Sequence, residues 1–100
     1  RWSLKEYFFK VILCILCLGD PIEAQKKNEE FSNEDSSWTQ SREFKLVTDI
    51  LECIDQGDTQ AFVDKVFEYD QFSKLDKLKT ALLLKIKNLV VEKDDDDDLL

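Results

Sequence analysis

The chain has 100 residues, 43 % apolar and 36 % charged, with two glycines and one proline. Leu, Ile, Val and Phe make up a third of it, which excludes wholesale disorder and fits a single helix-rich domain. The net charge of −8 with no basic stripe excludes nucleic acid as a partner, and the absence of histidine removes Ser-His-Asp and Cys-His catalysis and His-ligated zinc or haem.

A first helix is expected from about Ser3 to Leu18, because Leu4, Phe8, Val11, Ile12, Ile15 and Leu16 recur at helical spacing, with Tyr7 and Cys14 widening the stripe. Cys14 and Cys17 form a C-x-x-C inside this run. They read as core cysteines, since neither a second pair nor a histidine exists to complete a zinc site. The count of three cysteines points to a reducing compartment. Two rival readings stay open here. Arg1 and Lys5 ahead of the apolar stretch Val11 to Leu18 resemble a secretory signal peptide, which would make this a small secreted acidic helical protein. A thiol or metal enzyme using Cys14 and Cys17 is the other. Methionine is absent, so a chain starting at Arg1 reads as a fragment or a processed product.

Asp20 is a good N-cap, Pro21 suits the first helical position and Glu23 completes a capping box, so a second helix runs toward Phe31. Its interior is polar, which predicts a solvated face. Residues 32–41 read as a loop, with Trp38 as its anchor. Ser41 caps a third helix carrying Phe44, Val47, Ile50, Leu51 and Ile54, and Gly57 ends it in the left-handed conformation. Asp58 caps a fourth helix from Thr59 to about Asp70, expected to bury Phe62, Val63, Val66, Phe67 and Tyr69. So short a joint makes the third and fourth helices antiparallel neighbours.

Ser73 with Asp76 reads as a capping box that opens a fifth helix through Leu75, Leu78, Leu82, Ile86, Leu89 and Val90 to about Glu92. The two Gly-Asp joints stand 38 residues apart, close to the period of tetratricopeptide-like solenoids. Residues 1–92 form the helical domain, and 93–100 a disordered acidic tail. Asp94, Asp95, Asp96, Asp97 and Asp98 repel one another and resist packing, while Leu99 and Leu100 follow. Solvation and docking to a basic partner are both consistent with this tail. A dileucine signal is a third reading, one that serves membrane cargo.

The stretch Ser41 to Lys87, with Ser-Arg-Glu, Glu-Tyr-Asp, Ser-Lys-Leu-Asp-Lys and Leu-Leu-Lys-Ile-Lys in that order, resembles the carboxyl-terminal part of the soluble N-ethylmaleimide-sensitive factor attachment proteins, the SNAP family. The terminal Asp-Leu-Leu end and the segment Leu4 to Lys10 with Cys14 to Cys17 behind it resemble the same family. The resemblance implies an all-α fold of antiparallel helix hairpins, a tetratricopeptide-like solenoid ending in a small helical bundle. It also implies an adaptor and not an enzyme, with no cofactor, catalytic residue or metal.

Such an adaptor would be cytoplasmic, held at membranes through its partners, and would link SNARE complexes to the N-ethylmaleimide-sensitive AAA ATPase in vesicle fusion. By that resemblance Lys5 and Arg42 meet the SNARE complex. Glu52, Asp55 and the block Asp94 to Asp98 meet the ATPase, and Leu99 stimulates it. Leu78 departs from a family tryptophan, and Gly19 from an acidic position beside which Asp20 stands. About two thirds of a full family member is missing, so this chain alone is expected to be a weak adaptor.

Overall fold

The computed structural model describes the backbone of residues 3–99 and the side chains of residues 3–90. Six helices follow one another: α1 (Leu4–Cys17), α2 (Pro21–Glu34), α3 (Ser36–Thr39), α4 (Arg42–Gln56), α5 (Thr59–Phe72) and α6 (Lys77–Leu99). Among the described residues no strand occurs. Residues 93–99 of the expected tail form the last part of α6, the side chains of Asp94 to Asp98 and Leu99 lie outside those described, and Arg1 of the signal-peptide reading lies outside the described residues.

Each helix starts where its cap dictates. Ser3, Asp20, Ser41 and Asp58 each accept a hydrogen bond from the backbone N–H three residues on, satisfying a donor that the helix itself cannot. Gly19 and Gly57 have φ of 82° and 67°, the left-handed turn that frees the chain to reverse into the next helix. The two Gly-Asp joints therefore fold alike. They set α1 against α2 and α4 against α5, while α6 lies across both α1 and α5.

The core is a single cluster. Phe9, Ile12 and Leu13 of α1 are fully buried, with Val47 and Ile50 of α4, Phe62 of α5, and Leu83 and Ile86 of α6 packed into it. From the apolar run Val11 to Leu18, Ile12, Leu13 and Leu16 are buried in this core, while Cys14 and Leu18 stay exposed. At the other end of α1, Phe8 stacks on Phe31 with ring centroids 4.0 Å apart.

Four expectations need correction. Residues 32–41 are not a loop: α2 extends to Glu34, and Asp35 caps the single turn α3 by accepting from the backbone N–H of Ser37. This turn drives Trp38 into full burial, edge-on to Phe8 and Phe44, and its indole N–H donates to Asn28 Oδ1 at 2.8 Å. Nor is α2 merely solvated, since Ala24, Asn28 and Phe31 form its buried stripe.

Ser73 ends α5 instead of opening α6, and Asp76 is the residue whose carboxylate accepts from the N–H of Lys79 at 2.8 Å. Finally, Cys14 is exposed rather than core, as are Val63 and Phe67 on α5 and Leu78 on α6. Periodicity gives each of these helices an apolar stripe wider than the surface its neighbours cover.

Candidate functional site

The residues singled out in the sequence fall into two sets, at the two ends of α4. Arg42 is its first residue, and Glu52 and Asp55 lie in its last turns. Ten residues of helix separate Arg42 from Glu52, about 15 Å at 1.5 Å per residue.

Arg42 is exposed, and its guanidinium sits 4.6 Å from the centre of the Phe72 ring at the end of α5. Lys5 of α1 reaches the same end of α4, with its ammonium 3.8 Å from Oε1 of Glu43, the residue after Arg42. Glu43 is buried, and its other oxygen accepts from the Tyr69 hydroxyl at 2.5 Å. Burial, followed by the bond to Glu43, pushes the Tyr69 phenol far above its ordinary value. The two basic residues are thus each steadied by a neighbour, Lys5 by a buried carboxylate and Arg42 by an aromatic face. Lys45 and Lys65 line the adjoining hollow, with Asp49 and Glu68 among them.

At the far end, Glu52 and Asp55 are both exposed and share a groove between α2 and α4 with a volume of about 570 Å³. Glu29 of α2 brings a third carboxylate, and among the described residues no basic side chain lines the groove. Its apolar lining comes from half-buried Phe44, Leu51 and Ile54, with exposed Ile22 beside them. Sequence reasoning missed Glu29 and Ile22, although the spacing of Ile22, Gln25 and Glu29 places them on one helical face. It also missed Glu43, whose burial depends on Tyr69 26 residues away.

These charges run against helix stability. A helix amino terminus carries partial positive charge and its carboxyl terminus partial negative charge, so each end favours the opposite sign. Arg42 begins α4, while Glu52 and Asp55 end it with no basic residue in the last turn. The dipole therefore favours neither Arg42 nor Asp55, whereas Glu43 in the first turn stands at its favoured end.

The Cys17 thiol donates to the carbonyl of Leu82 at 3.3 Å, and burial raises its pKa, the opposite of what an attacking thiolate needs. Cys53 is buried and its pKa is likewise raised by burial. Among the described residues no group of three or more Cys, Asp or Glu side chains is placed to hold a metal, and no helix is long and apolar enough to cross a membrane.

Together these features define a helix-hairpin scaffold with segregated charged faces. Residues 1–91 match the family described as soluble NSF attachment protein, SNAP, and the chain belongs to that family. It is 44 % identical over 96 residues to the probable vesicular-fusion protein sec17 homolog of Schizosaccharomyces pombe, a match covering 96 % of this chain and 33 % of that protein. To the alpha-soluble NSF attachment protein of Saccharomyces cerevisiae the identity is 34 %, over 96 % of this chain and 33 % of that one. The human alpha-soluble NSF attachment protein is 33 % identical, over 96 % and 32 %. The chain spans about a third of the length of the curated relatives it matches. The match includes the whole of α1, so the apolar run belongs to the family's helical fold and gives no support to a secreted protein with a signal peptide.

Proposed function

We propose that this chain is the adaptor segment that connects SNARE complexes to the N-ethylmaleimide-sensitive AAA ATPase, which disassembles them in vesicle fusion and intracellular transport. One observation carries the reading: α4 holds a basic residue at its start and two exposed acidic residues at its end, each against the helix dipole. In this reading Lys5 and Arg42 meet the acidic surface of a zippered SNARE bundle. Glu52, Asp55 and the acidic block Asp94 to Asp98 meet the basic face of the ATPase, and Leu99 adds an apolar contact that stimulates it. The carboxylates supply salt-sensitive attraction and the leucine a contact that salt does not screen. Hydrolysis belongs to the partner. The adaptor works in the cytoplasm and reaches membranes through the proteins it binds. A vesicular-fusion role is the one the relatives' names carry.

The test uses purified SNARE complex and purified ATPase with the intact chain, at low and moderate salt. Lys5→Glu with Arg42→Glu should weaken SNARE binding about tenfold or more and leave ATPase binding unchanged. Loss of Asp94 to Leu100 should do the reverse. If both variants weaken the same partner alone, the two-ended reading is wrong. If the folded chain binds neither partner, the adaptor role is lost altogether.

A further inference from the structure

The groove between α2 and α4 combines its three carboxylates with an apolar sill. Ile22, the second residue of α2, is 71 % exposed at the edge of this groove. Its neighbour Pro21, together with Ile54, also lines a second hollow beside the first. Among the described residues no charged side chain lines that hollow, whose wall includes Leu16 and Gly19 with Ile86, Leu89 and Val90 of α6. The acidic groove and the apolar hollow therefore share Pro21 and Ile54, and Ile22 lines the groove beside Pro21.

A solitary exposed isoleucine needs no explanation; one that lines an acidic groove, next to the proline this groove shares with an apolar hollow, marks a surface with two chemistries. Solvation alone would call for the carboxylates and not for the sill. A partner matched to both is a basic segment that also carries a large apolar side chain. Its Lys or Arg residues would pair with Glu29, Glu52 and Asp55, and its apolar anchor would lie over Ile22. We infer that this surface binds the basic face of the ATPase by an apolar anchor as well as by charge, with Ile22 as the central contact. The inference rests on the reading of Glu52 and Asp55 as ATPase-facing and gives that contact a component that salt does not remove.

The prediction separates the two components. Burying an isoleucine side chain at an interface is worth about tenfold in affinity, and that gain survives salt, whereas attraction between exposed charges fades as the ionic strength rises. The experiment titrates the purified ATPase with the full chain at low and moderate salt, comparing Ile22→Ser, Ile22→Leu and the double variant Glu52→Gln with Asp55→Asn. Because Ile22 is mostly exposed, the serine variant keeps the fold, which circular dichroism verifies. Ile22→Ser should weaken binding about tenfold at both salts, Ile22→Leu should restore it, and the carboxylate variant should lose its effect as salt rises. Wild-type affinity for Ile22→Ser beside a weakened carboxylate variant would overturn the apolar anchor and leave the ATPase-facing groove standing. Wild-type affinity for both would overturn the groove itself.

Discussion

Replacing Trp38 by Phe and Asn28 by Leu, singly and together, tests how the segment between α2 and α4 is held. Trp38 is fully buried, and its N–H donates to Asn28 Oδ1 at 2.8 Å. Trp38→Phe removes that donor and leaves the Asn28 oxygen unpaired in a buried setting, a cost of about 1–3 kcal/mol. The smaller ring leaves a void that adds about 1 kcal/mol. Asn28→Leu strands the indole N–H instead, again about 1–3 kcal/mol. In the double variant neither orphan exists, so its cost should fall below the sum of the singles by about 1–3 kcal/mol. Urea unfolding followed by far-ultraviolet circular dichroism measures all four stabilities. Additive losses would refute the reasoning, because they would mean that the two side chains stabilise the fold independently and that the hydrogen bond contributes nothing to it.

Two further outcomes follow from the buried and half-buried groups. Thiol labelling of the native chain should modify exposed Cys14 first, Cys17 later because burial raises its pKa and its thiol donates a hydrogen bond to the Leu82 carbonyl, and buried Cys53 only as the protein opens. An order that places Cys53 ahead of Cys14 would contradict the packing of α4. The second outcome concerns alkaline stability. Tyr69 keeps its proton in the fold well beyond the pH of about 10 at which the unfolded chain releases it, so its contribution is complete below about pH 10 and shrinks above it. Lys79 acts in the same direction: desolvation lowers its pKa, but the Glu6 hydrogen bond and the charges of Glu6 and Asp76 outweigh that and raise it. Thermal melting should therefore fall above about pH 10, and Tyr69→Phe should start lower but decline less steeply. Equal slopes for the two proteins would show that Tyr69 is not the group being titrated.

Much of the architecture was legible because local signals and packing agree in it. Asp20 and Asp58 behind their glycines cap α2 and α5 where the sequence says they should, and the spacing of Val47 and Ile50 gives the buried face of α4. The misses share a cause. Trp38 sits in a polar run with no periodicity, and only the Phe8, Phe44 and Asn28 side chains around it turn that run into a helical corner. Cys14 and Phe67 carry the helical spacing of core residues, yet no neighbouring helix covers them. At the candidate site, Arg42, Glu52 and Asp55 came from family resemblance, and their segregation along α4 became visible only in the structure. Glu29 was within reach of a helical wheel. Glu43 was not, since its burial is decided by Tyr69 and Lys5, on two other helices.

The contact of α6 with α1 changes how this stack of hairpins should come apart. In an open solenoid each repeat touches only its neighbours, so the ends fray and unfolding spreads along the array like a one-dimensional lattice losing order. Here the Lys79 ammonium on α6 reaches Glu6 on α1 at 2.8 Å, and the Cys17 thiol donates to Leu82, tying the two outermost described helices together. Contacts between elements so far apart along the chain couple their unfolding, so α1 and α6 should melt together. During synthesis the same closure has a cost in time, because α1 cannot complete its burial until α6 has left the ribosome. Until then Phe9 and Leu13 depend on partial contacts, which makes the interval before closure the one in which this chain is most exposed to aggregation.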